Sequence, residues 1–232
     1  MSSVAVKSRA DVLAQTTWAA ELDVEELARA ARGVTERRYA KGNYVCHRGD
    51  RLDYWTGVVT GLVKMSSISE SGKAVTFAGI GAGGWFGEGS VLKDESRKYD
   101  LVALRDTHLL LLNRSTFMWL SENSIGFNRY LVRHLNERLG QFIATTEYER
   151  LMDPKARVAR QLSWLCNPVL SPNVKDRIDI TQDELALLAT VSRALVNRSL
   201  QELASEGLVS VEHSAIIIRD LKKLGAYGGA AA

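Results

Sequence analysis

Arg193, Asn197 and Arg198 stand within one short stretch directly after Ser192, with Asn197 one helical turn beyond Arg193. A guanidinium fork bonds O6 and N7 of a guanine together, and a carboxamide matches the edge of an adenine or a phosphate oxygen. The chemistry these residue types offer is recognition of double-stranded DNA, not bond making. Nothing else in the chain competes for a chemical role, because no Ser/His/Asp, Cys/His or paired-carboxylate set falls on a shared element. The run Gly79-Ile80-Gly81-Ala82-Gly83-Gly84 satisfies the GxGxxG spacing of dinucleotide sites. It is followed by Trp85-Phe86-Gly87-Glu88-Gly89, which lacks the helical periodicity needed to aim a helix N-terminus at a pyrophosphate. Cys46 and Cys166 are far apart and read as ordinary buried thiols, with no metal-site spacing. His47, His108 and His134 are isolated and read as surface or packed histidines, not haem ligands.

Two helices must position the reading residues. Thr181-Gln182-Asp183-Glu184 has the Thr-x-x-Glu form of a capping box, so a helix starts there with Leu185, Leu187 and Leu188 as its apolar face. Ala189-Thr190-Val191 turns the chain, and Ser192 caps a second helix over 193–205. Leu195, Val196, Leu200 and Leu203 form its inner side, leaving Arg193, Asn197, Arg198 and Gln201 outside. Thr181 and Ser192, at the two helix starts, belong to the same DNA-facing set. Gly207 ends the second helix, and strands over 208–211 and 216–218 meet at His213-Ser214, making a wing. Arg219 and Lys222 are expected on phosphates. A solvated helical hairpin would share the polar face; the caps and the wing favour DNA. Bulk charge does not decide the matter: the chain carries +3, and residues 151–232 carry ten basic against nine acidic side chains.

The remaining chain supplies a scaffold. Residues 11–32 read as helical, and 35–113 as short strands punctuated by glycines, with Glu70-Ser71-Gly72-Lys73 a hairpin turn, so an antiparallel roll is expected. Phe127, Leu131, Leu135 and Leu139 recur every fourth residue on a helix over 125–151, roughly 40 Å long at ~1.5 Å per residue. A stripe of that length calls for a partner helix, most simply its own copy in a twofold homodimer. Asp153-Pro154 breaks the helix. The expected organisation is α+β: helices and roll over 1–114, a long dimerisation helix region over 115–152, a winged helix-turn-helix over 153–224, and a disordered tail over 225–232. With 46% apolar and 25% charged residues, three prolines, no apolar run of membrane length and no signal-peptide layout, a folded cytoplasmic protein is expected, without membrane contact.

The segments ITQDELALLATVSRALVNRSLQELASEGLVSV and WFGEGSVLKDESRKYDLVAL resemble the family of the cyclic-AMP receptor protein and the fumarate and nitrate reduction regulator, over residues 20–222. The resemblance implies a jelly-roll sensor, with Phe86-Gly87-Glu88 opening its phosphate-binding cassette. It also implies a hinge over 151–157 and RNA polymerase contacts from the loop 167–176. Where cyclic-AMP-responsive members carry an arginine ten residues after the glutamate, this chain has Lys98, followed by Tyr99 and Asp100, with Arg97 one position early. The places of the adenine-contacting hydroxyl pair hold Phe142 and Ile143. Gly87, Glu88, Arg97, Lys98, Tyr99, Phe142 and Ile143 are therefore the effector-pocket candidates, the effector is unknown, and cyclic AMP is not the expected ligand. The cysteine set of iron-sulfur members is missing. Ala194 replaces the glutamate that reads cytosine in many members, so the base pair at that place is expected to be relaxed or changed to thymine.

Overall fold

The computed structural model describes residues 9–72 and 74–228. The start of the N-terminal segment, Lys73 of the hairpin turn and residues 229–232 of the tail lie outside the described residues. Helices α1 (Arg9–Ala14) and α2 (Val24–Gly33), with a 3-10 turn at Ala19–Glu21 between them, precede the roll. The roll contains β1 (Val34–Tyr39), β2 (Tyr44–Cys46), β3 (Tyr54–Thr60), β4 (Leu62–Ile68), β5 (Ala74–Gly81), β6 (Trp85–Phe86), α3 (Glu88–Lys93), β7 (Asp100–Ala103) and β8 (Thr107–Asn113). Its two antiparallel sheets run β1-β8-β3-β6 and β2-β7-β4-β5.

The four leucines of β8 show how the roll is filled. Side chains alternate across a strand, so Leu110 and Leu112 enter an aromatic core while Leu109 and Leu111 enter the space between the sheets. The aromatic core stacks Trp18, Trp55, Trp85, Phe117 and Phe127 with neighbouring ring centroids 4.3–5.5 Å apart. Phe127 thereby fastens the next helices to the roll.

The helix region over 115–152 holds two helices, α4 (Arg114–Asn123) and α5 (Ile125–Leu151), the second over the span expected for the long helix. Ser124 divides them, and its hydroxyl accepts from the Phe127 amide at 3.1 Å, starting α5 afresh. The fourfold stripe on α5 also splits. Four residues advance about 400° around a helix, so each step drifts about 40°. Phe127 and Leu131 are buried against the roll, whereas Leu135 and Leu139 have rotated into the open. Ile125, Val132, Leu139 and Ile143 make a second, exposed stripe.

After α5, Asp153 accepts from the amides of Lys155 and Ala156 at 2.9 and 3.0 Å and Pro154 takes the first helical position, so the break also starts α6 (Pro154–Leu165). Next come β9 (Arg177–Ile178), α7 (Gln182–Ala189), α8 (Arg193–Ser205), β10 (Val209–Val211), β11 (Ile216–Ile218) and α9 (Leu221–Ala226), with a three-stranded sheet in the order β10-β11-β9. The expected disordered tail is corrected over its first residues. Gly225 and Ala226 complete α9, Arg160 donates from Nε to the Tyr227 carbonyl at 2.8 Å and also to the Gly225 carbonyl, and Tyr227 packs against the C-terminal core. Leu224, fully buried just before, ties this turn down.

The C-terminal unit is seated on the roll by the glycine run. A Cβ on Gly79 would stand 2.6 Å from a Leu165 methyl, on Gly81 2.5 Å from Val174, on Gly83 2.8 Å from Pro172, and on Gly84 2.5 Å from the Leu170 carbonyl oxygen. A side chain at any of the four would force its neighbour to move, and at Gly84 that neighbour is backbone. Leu62 and Leu104 of the roll enter the core of the C-terminal unit beside Leu165 and Leu188. Arg105 reaches across with a two-pronged ion pair to Glu184, at 2.9 and 2.8 Å.

Candidate nucleic-acid interface and roll cavity

Local caps fix both reading helices. The Thr181 amide donates to Glu184 Oε2 at 2.8 Å and the Glu184 amide donates to the Thr181 hydroxyl at 3.2 Å, so Thr181 is committed to starting α7. Ser192 accepts from the Leu195 amide at 3.3 Å and starts α8. Val196, Leu200 and Leu203 are buried, which turns Arg193, Asn197, Arg198 and Gln201 to solvent. Leu187 and Leu195, expected inside, are exposed instead, because at about 100° per residue Leu185, Leu188 and Ala189 share the inner face of α7 and Val196, Ser199, Leu200 and Leu203 that of α8. Arg193 Nη1 lies 3.4 Å from Asp183, Asn197 donates to Gln182 at 3.3 Å, and Arg198 donates from Nε to Glu202 at 2.9 Å. Arg193, Asn197 and Arg198 thus each have one polar neighbour and an open outer edge.

Between the helices Thr190 has φ 54° and ψ 44°, a left-handed conformation that crowds a β-branched residue. Its hydroxyl donates to Glu149 at the end of α5 at 2.7 Å, and Arg157 donates to the carbonyls of Ala189 and Thr190 at 2.7 and 2.5 Å. These bonds hold the turn without glycine and tie it to the long helix. The wing pairs Val209 with Ile218 and Val211 with Ile216. Arg177 of β9 binds Glu212 at its tip.

The roll carries a half-open cavity of about 470 Å³ lined by Met65, Phe77, Phe86, Tyr99, Phe142 and, on its polar side, Glu88, Arg138 and Lys98. Gly87 has φ 94°, and Glu88 begins α3 beside it. Glu88 and Arg138 are less than a tenth exposed, and Glu88 Oε2 and Arg138 Nη2 have no hydrogen-bond partner among the described residues, although Arg138 Nη1 donates to Gln141 at 2.8 Å. Arg97 is buried too. Its Nη2 donates to the Tyr54 carbonyl at 2.7 Å while Nε and Nη1 stay unpartnered against Gly87. Burial pushes the Tyr99 phenol up, against the pull of Arg97, and depresses both His134 and Arg138, against the pull of Glu88. A larger cleft of about 850 Å³ lies between roll and C-terminal unit, but its Arg105 and Arg177 are spent on Glu184 and Glu212. The smaller cavity is the one with orphaned charged groups.

Not every candidate converges there. Lys98 stands at the rim, two-thirds exposed and paired with Glu95 at 3.1 Å, while the early arginine, Arg97, is buried behind Gly87 and does not line the cavity. Ile143 is corrected out of the cavity: neighbours on a helix diverge by about 100°, so with Phe142 facing the roll Ile143 projects from the open stripe, 61% exposed. Arg138 was missed in the sequence, although it lies one turn before Phe142, a spacing that shares its face.

Comparison with known proteins agrees with this arrangement. Residues 36–124 match the cyclic nucleotide-binding domain model and residues 156–227 the Crp-like helix-turn-helix domain model. The cyclic AMP receptor protein of Thermus thermophilus is 30% identical over 196 residues, covering 84% of this chain and 89% of that one. The transcriptional regulator SdrP of the same organism is 29% identical, covering 72% and 80%. Among solved structures, FixK2 from Bradyrhizobium japonicum superposes with a TM-score of 0.70 at 20% identity, over 86% of this chain and 99% of that one. A CRP/FNR-family transcriptional regulator from Thermus thermophilus gives 0.61 at 25%, over 84% and 100%.

Proposed function

Because this chain belongs to the family of the cyclic-AMP receptor protein and the fumarate and nitrate reduction regulator, and is a DNA-binding transcription regulator of that type, we propose that it works as a homodimer on a near-palindromic operator under the control of an anionic small molecule. The observation that carries DNA reading is the placement of Arg193, Asn197 and Arg198 together on the open face of a capped helix beside a wing. Two such helices enter successive major grooves about 34 Å apart. The exposed stripe Ile125, Val132, Leu139 and Ile143 supports pairing of α5 with its copy, since the first three repeat every seventh residue. Residues 153–224 act as the reading unit, pivoting at Met152-Asp153-Pro154. Arg219 and Lys222 add phosphate contacts, and the exposed Asn173, Lys175 and Asp176 offer a surface to RNA polymerase.

In the roll, Glu88 would accept from a ligand hydroxyl and Arg138 would hold an anionic group, while Phe77, Phe86, Tyr99 and Phe142 would cover an apolar body; their lining of one cavity and the unpartnered Glu88 Oε2 and Arg138 Nη2 support this reading. Phe142 offers no hydrogen bond to a base edge, and Lys98 is engaged at the rim, so the ligand is an anion other than cyclic AMP. Ile143 would meet the partner's helix and not this cavity.

The test is fluorescence anisotropy on DNA recovered by in vitro selection, at fixed salt. Arg193→Ala and Arg198→Ala each weaken specific binding by about 1–3 kcal/mol and relax the guanine positions. Failure to select any DNA, or two variants that bind as before, would overturn the reading. Cyclic AMP leaves the affinity unchanged; tightening on its addition refutes the assignment of another effector.

A further inference from the structure

Arg198 does not stand alone on the reading face. Its Nε donates to Glu202 Oε1 at 2.9 Å, one turn along α8, and the other carboxylate oxygen of Glu202 lies 3.1 Å from Nζ of Lys155 on α6. Lys155 is held in turn. Its Nζ bridges to Glu206 at 3.1 Å and lies over the Tyr227 ring at 5.5 Å, and the Tyr227 hydroxyl, 2.8 Å from both Glu206 oxygens, shares its one proton between them. The chain of contacts therefore runs from α6 and the C-terminal turn through Glu202 to the guanidinium of a reading residue.

An arginine side chain is long and loses rotamer freedom when it docks, which weakens binding unless its conformation is set beforehand. A guanidinium also has two forks, one made by Nε with an Nη and one by the two terminal nitrogens. Glu202 occupies Nε and leaves the terminal fork free to meet O6 and N7 of a guanine. We propose that Glu202, anchored by Lys155, is a positioning residue that presents the terminal fork of Arg198 to one guanine of the operator. This rests on the reading of Arg198 as a DNA contact.

Two opposing effects separate this role from simple charge. Glu202 is an acid close to a polyanion, so neutralising it strengthens DNA binding in general. Neutralising Glu206 does the same, but Glu206 binds Lys155 and Tyr227 and not Arg198. The measured quantity is therefore discrimination: the ratio of affinities for the selected operator and for the operator with the guanine read by Arg198 replaced, at one salt concentration. Glu202→Ala lowers that ratio about two- to tenfold, the worth of ordering one long side chain. Glu202→Gln, which keeps an oxygen acceptor for Nε, retains part of it. Glu206→Gln, which leaves the Lys155–Glu202 and Glu202–Arg198 contacts in place, raises both affinities and lowers the ratio less than Glu202→Ala does, and in an Arg198→Ala background Glu202→Ala changes it no further. Unaltered discrimination in Glu202→Ala, with discrimination lost in Arg198→Ala, overturns the positioning role alone. Unaltered discrimination in Arg198→Ala overturns the DNA contact beneath it.

Discussion

Replacing Arg105 by alanine removes both prongs of its ion pair with Glu184, and with it the one polar clamp between the roll and the first helix of the reading motif among the bonds described above. The two side chains are only 20% and 15% exposed. Each hydrogen bond to a charged group contributes about 1.5–3 kcal/mol, but water still reaches one side of the pair and the Thr181 amide continues to satisfy Glu184, so the loss is about 2 kcal/mol. For a chain of this size that lowers Tm by roughly 4–8 °C. Burial pushes the Glu184 carboxyl up, yet the bonds from Arg105 and Thr181 outweigh it and hold the group below its ordinary 4.5. A carboxyl depressed in the folded state stabilises fully above its unfolded value and loses that contribution as pH falls through the folded one. A double-mutant cycle of Arg105→Ala with Glu184→Gln, followed by urea unfolding from pH 7 downward, therefore gives a coupling of about 1–2 kcal/mol at pH 7 that fades below about pH 4.5. Coupling within ~0.5 kcal/mol of zero at pH 7, or coupling that survives in acid, would refute the clamp.

Gly84→Ala places a methyl 2.5 Å from the Leu170 carbonyl oxygen, a backbone atom that cannot swing aside, and costs about 1–3 kcal/mol by thermal unfolding, whereas Gly89→Ala, which meets open space, costs nothing comparable. Leu139→Asp puts a charge in the exposed stripe of α5; sedimentation is expected to show a monomer, with operator affinity falling in step. His134 is fully buried and burial holds its imidazole below the ordinary 6.5, so the unfolded chain takes up a proton first and stability falls as pH drops below about 6.5. Urea unfolding of His134→Gln between pH 8 and pH 5 should give the shallower dependence; identical slopes would place that loss elsewhere.

Local rules made much of the fold legible. The capping box at Thr181, the Ser192 cap, Gly207 with φ 72° and the apolar spacing of 125–151 are signals set by neighbours in sequence, and each marks an element boundary found in the structure. What escaped depends on direction in space. Whether Arg97 or Lys98 turns inward is decided by the loop after α3, not by a count from Glu88. Phe142 and Ile143 look equivalent as letters and diverge once wound on a helix. The split stripe on α5 needed the slow rotation of a fourfold repeat to be followed over several turns. Gly79 to Gly84 were legible as an unusual run, and the helix test rightly removed the dinucleotide reading, but their use as a seat appears only when residues 165–174 are brought against them.

That seat limits how far this architecture can be taken apart and reassembled. The exposed side chains of α8 can change without disturbing the seat, since they lie on the open face of the helix. Whole DNA-binding units cannot be traded so freely. A transplanted unit must present side chains that interdigitate with the four glycines at 79, 81, 83 and 84, and must bring its own glutamate for Arg105. The same strand segment that forms the seat has Phe77 before it and Glu88 after it, both in the wall of the roll cavity. Variation that adjusts the seat for a new partner unit therefore acts on a segment that runs directly into the cavity wall, so seat and cavity are not free to change independently.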